Sequence, residues 1–474
     1  MKKYFFKSNE LVKHFSNYKL NLFMIILYLI GIFSIIAGLK SPNIIGSSYN
    51  YINNILINKT FISLLILIIT GVFIYLLYDN FRNLILKRNN IALIFIILTL
   101  NIVLNYLLRD YRMFILTFSF GAVLISQLLG YKIALITNIF MNLTLAILLN
   151  WNISQFIIPA LSISIALMFT KETAQRSKVI LCGLQIGIFS AIIYTFFILS
   201  GFESRIGYRI AIIELFLGGI ASAVIALGTL PVWEKLFGIL TQFRLIELSN
   251  PNQPLLKRLS MEAAGTYQHS ILVGNLSEAA CDAIGANSLL ARVGSYYHDI
   301  GKLKRPLMFK ENQFGIENPH DKLKVLQSLD IILSHRDDGI SLANEYKLPR
   351  EIVEFIDEHH GTTLVAYFYN KAKEERLSLP EERFRYKGRK PQSKETAIVM
   401  LADSSEAAVR SIDKIEEEII SKTIGNIIKS KLEDNQLNDS HLTIKDLSVI
   451  QEVFTNYFKG VYHQRIEYEK KLGE

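Results

Sequence analysis

Two cysteines in 474 residues, Cys182 and Cys281, provide neither a disulfide framework nor a thiolate set for a structural zinc. Charge is also scarce. Only 20% of residues are Asp, Glu, Lys or Arg while 51% are hydrophobic, which excludes a single soluble domain and points to a membrane class. No stretch alternates persistently with a period of two, so sheet architectures are not expected. Internal repeats are absent, and the one biased tract is the Asn-rich stretch 43–58, which reads as an outer loop. The excess of cations gives a net charge of +9, but much of it flanks apolar segments, so lipid headgroups rather than a nucleic-acid polymer are the expected neighbours.

The apolar residues are concentrated in the first half. Eight segments, at 20–39, 61–78, 91–108, 113–130, 132–149, 155–170, 179–201 and 209–231, are long enough or nearly so to cross a ~30 Å hydrocarbon core at ~1.5 Å per residue. The first has a basic leader like a secretory signal, but its length favours retention as a span. An even number of spans puts both ends on one side. Lys2, Lys3, Lys7, Lys13, Lys19, Arg82, Lys87, Arg88, Lys132, Lys171, Arg176 and Lys178 lie on the N-terminal side, against Lys40, Lys59, Arg109, Arg112, Arg205 and Arg209 opposite. This asymmetry predicts a multi-pass protein of the cytoplasmic membrane with both termini cytoplasmic. Asn101, Asn105, Gln127, Asn138, Asn142 and Gln185 inside the spans are expected to hydrogen-bond between helices.

The chain therefore divides into a cytoplasmic segment 1–19, a transmembrane region 20–231, a linker 232–254 closed by Pro251 and Pro254, and a soluble domain 255–474. The soluble part reads as helical. Pro349 suits a first helical position, and Ile352, Val353 and Ile356 recur at helical spacing toward His359 and His360. Ile412, Ile415, Ile419, Ile420, Ile424, Ile427 and Ile428 mark a later face, and Thr443 with Asp446 marks a further helix start.

Chemistry concentrates in the soluble part. His269, His298, Asp299, His335, His359, His360 and Asp403 supply imidazoles and carboxylates without thiolate, a donor mixture suited to two divalent first-row cations, manganese or iron foremost. Adjacent helical residues point ~100° apart, so His298 and Asp299 can approach one cluster, and a carboxylate can bridge where an imidazole cannot. Asp299 is thus the expected bridge, with His269, His298 and Asp403 on one cation and His335, His359 and His360 on the other. Two such cations lower the pKa of a shared water and clamp a phosphodiester for in-line attack. His14, His441 and His463 read as ordinary exposed histidines, and His320 stays outside the set.

At these residues the chain resembles the HD-domain phosphohydrolases, specifically the seven-transmembrane-receptor, or PgpH-type, branch. The likeness runs through Leu245 to Pro251, Gly265 to Ser270, Ala291 to Lys302, Glu311 to Gln313, Glu317 to Asp321, His359 to Thr363 and Ala402 to Ala408. It implies an all-α architecture, a polytopic bundle of about eight spans followed by a cytosolic helical HD domain, and hydrolysis of cyclic di-AMP. The related branch acting on cyclic di-GMP carries Gly-Tyr-Pro after its paired histidines, whereas here Gly361, Thr362 and Thr363 follow. Two departures stand out. Only about 20 residues separate 39 from 61, where the family carries a large extracytoplasmic domain, and Gln268 stands where relatives often have another histidine.

The expected function is a membrane-bound phosphodiesterase that linearises cyclic di-AMP to 5'-pApA with Asp299 and Lys302 as catalytic residues. Lys302 could neutralise a phosphate oxygen. Arg385, Tyr386, Lys387 and Arg389, within the cationic and aromatic stretch 373–394, are the expected substrate contacts and could form a lid. The alternatives are a membrane receptor whose HD module binds a nucleotide without cleaving it, and an HD phosphohydrolase for another nucleotide. The oligomeric state stays open, a homo-oligomer included.

Overall fold

The computed structural model describes residues 22–23, 25–33, 36, 48–85, 89–111, 114, 118–169, 175–313, 315, 317–412 and 416–463. Lys2, Lys3, Lys7, Lys13, Lys19, Lys40, Lys87, Arg88, Arg112, Lys171 and Ile415 fall outside them, as does much of the first expected span. The described chain is all-α and divides between Phe243 and Arg244 into two compact units.

The first unit contains α1 (Ser48–Ile85), α2 (Asn90–Leu107), α3 (Phe120–Leu129), α4 (Tyr131–Leu149), α5 (Ile153–Phe169), α6 (Arg176–Leu199) and α7 (Tyr208–Phe237). Five helices are long and apolar enough to cross a membrane, namely Lys59–Arg82 within α1 together with α2, α4, α6 and α7. The other two, α3 and α5, are shorter. Phe73 stacks on Phe140 at 4.1 Å and Tyr28 meets Phe95 edge-on at 5.1 Å, placing the rings in the middle of this unit. Gly183 and Gly219 let α6 and α7 approach so closely that a Cβ on either would strike the other's backbone, the small-residue contact that brings helices together in lipid.

Three expectations need correction. The Asn-rich stretch is not wholly a loop, because α1 begins at Ser48. The expected span 113–130 is broken: Phe118 and Ser119 are non-helical, and α3 starts only at Phe120. Hydrogen bonds support that break, since Asn105 Nδ2 donates to the Phe118 carbonyl at 3.2 Å and the Ser119 amide donates to Ser222 Oγ at 2.7 Å. Lastly, α7 runs past Pro231 to Phe237, where Trp233 and Phe237 stack at 6.1 Å, so proline does not end it. The buried amides behave unevenly. Asn138 Nδ2 reaches Ser164 Oγ at 3.2 Å across helices, whereas the Asn101 amide has no partner among the described residues.

The division falls inside α8 (Gln242–Leu248). The second unit continues with α9 (Pro254–Glu262), α10 (Ala264–Ile284), α11 (Ser288–Tyr297), a run of 3-10 turns, α12 (Val325–Glu345), α13 (Arg350–Glu358), α14 (Ala366–Glu374), α15 (Lys394–Val409), α16 (Glu417–Glu433) and α17 (Ile444–His463). Three of its helices start where side chains satisfy the first free amides. Asn287 accepts from the Leu290 amide at 3.1 Å, Ser393 from Thr396 at 3.2 Å, and Thr443 and Asp446 cap each other reciprocally at 3.1 and 3.0 Å. Pro349 takes the cap position rather than the first turn.

The centre of this unit is α15, in which every residue from Thr396 to Asp403 is buried. A helix buried all round must be enclosed by others. Here Val273, Leu276, Ile420, Ile424, Ile450, Phe454 and Phe458 from α10, α16 and α17 pack against it. Each such side chain contributes ~1.5–3 kcal/mol by leaving water. Cys281 belongs to this core, and burial raises its thiol pKa. The apolar run of this helix gives way to buried polar residues at Asp403, Ser405 and Glu406.

Candidate metal centre

Six structural pieces deliver the seven ligand candidates to one place. His269 projects from α10, His298 is the residue that ends α11, Asp299 begins the 3-10 turn Ile300–Lys304, His335 lies on α12, His359 and His360 follow α13, and Asp403 is on α15. Gly301 explains why the turn can lie there. A Cβ at that position would overlap the His335 carbonyl, so only glycine permits the turn to rest directly on α12.

The imidazoles are oriented by their outer nitrogens. His298 Nδ1 donates to the Ser295 carbonyl at 2.6 Å, His335 Nδ1 to Ile332 at 2.6 Å, and His359 Nδ1 to Ile356 at 3.0 Å, all near one turn back on their own helices. His269 Nδ1 instead donates to the Glu406 carboxylate at 2.7 Å. Nδ1 is thereby committed to an outer acceptor on all four rings, and Nε2 is the nitrogen left facing inward, available as a ligand atom once it is deprotonated.

The carboxylates divide the site. Asp299 Oδ2 lies 3.1 Å from His298 Nε2 and 3.7 Å from His269 Nε2, while its Oδ1 lies 3.5 Å from His335 Nε2 and 3.7 Å from His359 Nε2. Asp403 Oδ1 sits 3.0 Å from His269 Nε2, and its Oδ2 sits 3.6 Å from His360 Nδ1. Two donor groups result, His269–His298–Asp299–Asp403 and His335–His359–His360, with the donor atoms of each within 4.8 Å of one another.

These donors fit cations better than they fit one another. Asp299 Oδ1 and His298 Nε2 are buried without a hydrogen-bond partner, and two deprotonated Nε2 atoms, on His335 and His359, face each other at 3.3 Å. Unsatisfied buried lone pairs pointing at one spot are costly unless something positive occupies it. The electrostatics agree. Burial lowers the pKa of His335 and His360 and brings His359 to about 3, so these rings are neutral. Burial works against charge at His298 too, but Asp299 and Asp403 outweigh it and push the value up to about 10. For Asp299 and Asp403 burial is overcome by neighbouring cations, Lys302 foremost for Asp299 and His269 for Asp403, and both carboxyls stay well below the usual range. The structure thus contains a candidate metal-binding cluster.

Lys302 is tied in more closely than its position in the sequence suggested. Its Nζ lies 2.7 Å from Asp299 Oδ2 and 2.7 Å from Glu311 Oε1, with the Phe309 ring 5.1 Å away. Glu311 also accepts from Thr266 Oγ1 at 3.2 Å. Gln268 is exposed while its neighbour His269 points inward, so its departure from the family pattern is harmless to the cluster. His320 Nε2 donates to the Met308 carbonyl, 2.8 Å away, outside the set.

The stretch 373–394 contributes unevenly. Tyr386 stacks on His360 with ring centroids 4.2 Å apart and forms a wall of the site. Arg385 is engaged by Asp434 at 2.9 Å and Glu381 at 2.8 Å, Arg389 pairs with Glu358 and with Asp357, and Lys387 is exposed. The backbone is pinned as well, since Val365 donates to Phe384 at 2.9 Å and Tyr386 to Thr363 at 3.0 Å. The two arginines therefore serve carboxylates of the protein itself, and of the four expected substrate contacts Tyr386 stands against the cluster.

Sequence reasoning missed Glu406, Glu311 and Lys431. Glu406 was detectable, because it lies three residues after Asp403 on one helix and must share its face. Glu311 sits in a 3-10 turn with no periodicity to betray it, and Lys431 looks like any cation on an amphipathic helix.

Comparison with known proteins places this geometry. Residues 59–241 match the family model described as 7TM receptor with intracellular HD hydrolase, and residues 266–408 match the HD domain. The chain is 40% identical over 425 residues to the cyclic-di-AMP phosphodiesterase PgpH of Bacillus subtilis, covering 85% of this chain and 59% of that protein. It is also 40% identical over 361 residues to PgpH of Listeria monocytogenes, covering 75% of this chain and 50% of that one. The chain thus spans between half and three-fifths of the length of these relatives. A crystal structure of the L. monocytogenes PgpH HD domain in complex with cyclic di-AMP is 48% identical, with a TM-score of 0.44, covering 45% of this chain and all of the other.

Proposed function

This chain belongs to the 7TM receptors with an intracellular HD hydrolase, and from that premise we propose that it is a membrane-bound, metal-dependent phosphodiesterase that opens cyclic di-AMP to 5'-pApA. The observation that carries the reading is the division of Asp299, whose two oxygens face different groups of inward-pointing donors. A bridging carboxylate is what a two-cation site requires. The relatives named as cyclic-di-AMP phosphodiesterases support the choice of substrate.

His269, His298, Asp299 and Asp403 would hold one cation, and His335, His359 and His360, with Asp299 between, the other. Donors limited to nitrogen and oxygen favour manganese or iron. Bound together, two such ions supply an acidified water and an electrophilic clamp for the phosphoryl oxygens. The protein's part is orientation. Backbone carbonyls and Glu406 fix the rings, Lys302, itself held by Glu311, keeps Asp299 ionised and in place, and Tyr386 closes one side against a substrate ring or sugar. Of the expected cationic contacts, Lys387 is exposed and remains a candidate to meet the anionic substrate, whereas Lys302, Arg385 and Arg389 are paired with carboxylates of the protein. The membrane unit would anchor this domain at the cytoplasmic face, with both termini inside.

The deciding experiment incubates the purified full chain in detergent with manganese and cyclic di-AMP and separates the products. Accumulation of 5'-pApA is expected. Binding without any cleavage would reject the enzyme in favour of a nucleotide receptor, and cleavage of other nucleotides alone would reject the substrate.

A further inference from the structure

A cyclic dinucleotide carries two phosphodiesters, and a dinuclear centre can engage only the one being cut. The second negative charge needs its own partner. This inference rests on the reading of the substrate given above, and it concerns a part of the molecule that the ligand set does not include.

Beside the centre, between α15 and α16, lies an open groove of about 350 Å³ lined by Ser404, Thr423, Asn426, Ile427, Ser430 and Lys431. Ser404 follows Asp403 directly, so the groove adjoins the stretch of α15 that carries a metal-ligand candidate. Lys431 is its one cationic wall. The side chain is 8% exposed, its Nζ makes a single hydrogen bond, 3.3 Å to Thr363 Oγ1, and no carboxylate lies within 4.0 Å of it among the described residues. Thr363 in turn donates to the carbonyl of His360, which ties this ammonium to the wall of the centre.

A buried ammonium with one neutral partner is an unusual arrangement. Its charge has been taken from water without the paired anion that normally offsets the loss, and Asp403 and Asp434 help only from a distance. The other cations near the site are committed, Lys302 to Asp299 and Glu311, Arg385 to Asp434 and Glu381. The hydroxyls of Ser404 and Ser430 and the amide of Asn426 add neutral donors along the same wall, while the Thr423 hydroxyl donates to the Ile419 carbonyl. A phosphodiester brings the missing negative charge together with acceptor oxygens for those donors.

We propose that Lys431, with Ser404, Asn426 and Ser430, forms a second phosphate subsite that holds the uncut phosphodiester of the cyclic dinucleotide while the metal centre engages the other. The subsite makes the enzyme prefer substrates with two phosphates one nucleoside apart. It binds ground state and transition state alike, because the phosphate it holds does not react.

The test compares cyclic di-AMP with bis(p-nitrophenyl) phosphate, a diester with one phosphate, on the full chain loaded with manganese. Lys431→Met should raise KM for cyclic di-AMP by about tenfold or more while kcat stays within about threefold, the signature of lost uniform binding. The loss of kcat/KM on cyclic di-AMP should exceed that on the one-phosphate diester by the same factor, and Lys431→Arg should recover most of it. Manganese content should match the parent's. An unchanged KM, or equal losses on both diesters, overturns the subsite. If Lys431→Met does not accumulate as folded protein, the pair Asn426→Ala and Ser430→Ala decides by the same comparison. A parent chain inert toward cyclic di-AMP overturns the proposed function and the subsite together, whereas an active parent with an indifferent Lys431→Met overturns the subsite alone.

Discussion

Glu406 accepts the Nδ1 proton of His269 at 2.7 Å, and both residues are almost fully buried. A carboxylate in that position fixes the tautomer, aims Nε2 inward and makes it a better donor. Glu406→Gln should therefore weaken metal binding about 10- to 100-fold without removing a ligand. Titration with manganese, followed by metal analysis, measures the shift. Binding as tight as the parent's would show that His269 needs no such support.

Asp299→Ala should abolish turnover and release at least one cation, since both donor groups lose their shared carboxylate. Metal content and product formation are read on the same preparation. Undiminished hydrolysis would reject the bridge.

Glu311→Gln tests the lysine between two carboxylates. Lys302 Nζ is 2.7 Å from each, so removing one negative charge leaves the ammonium to Asp299 alone and weakens its hold on the turn. We expect kcat to fall by about tenfold, on the scale of one charge-assisted hydrogen bond, with metal content retained. A variant with parental kcat would show that Glu311 plays no part in positioning.

Acid should unfold the metal-free protein in a defined window. His359 is held at about 3 by burial, and His335 and His360 are lowered in the same sense, so below the unfolded value of 6.5 the unfolded chain binds more protons and stability falls. His298 is pushed up to about 10, so its contribution is present below 6.5 and is lost as pH rises toward 10. Metal-free stability should consequently peak near neutrality, and the added stabilisation by manganese should grow as pH rises from acid through neutrality, because bound cations need deprotonated ligands. Reaction of the buried Cys281 thiol with a maleimide dye during heating, in a Cys182→Ser background, reports the transition. A flat profile from pH 4 to 9 would contradict the assigned charges.

Gly301→Ala should destabilise the second unit by more than the ~1–3 kcal/mol usual for overpacking, because the obstacle is the His335 backbone and not a side chain that can swing away. The same thiol assay measures it. Parental thermal stability would show that the turn can shift at little cost.

Much of this site was legible from residue types alone. His298 and Asp299 are adjacent, His359 and His360 finish a helix with an apolar face, and Asp403 ends a wholly apolar run, so each had to face the interior. What periodicity could not reveal was which polar residues would find internal partners. Arg385 and Arg389 read as free cations because Asp434, Glu381 and Glu358 are distant or unremarkable in sequence. The interruption at Phe118 and Ser119 was hidden for a similar reason. Hydropathy records apolar length, while the bonds from Asn105 and to Ser222 that stabilise the break come from other helices.

The contact between Gly301 and the His335 carbonyl has a mechanical corollary. Asp299 and Lys302 ride on the same short turn as Gly301, and His335 rides on α12, so sliding that helix would drag the turn with it. Both halves of the cluster are geared to one joint. A signal that moved α12 would then disable the whole centre in a single stroke instead of loosening one ion at a time.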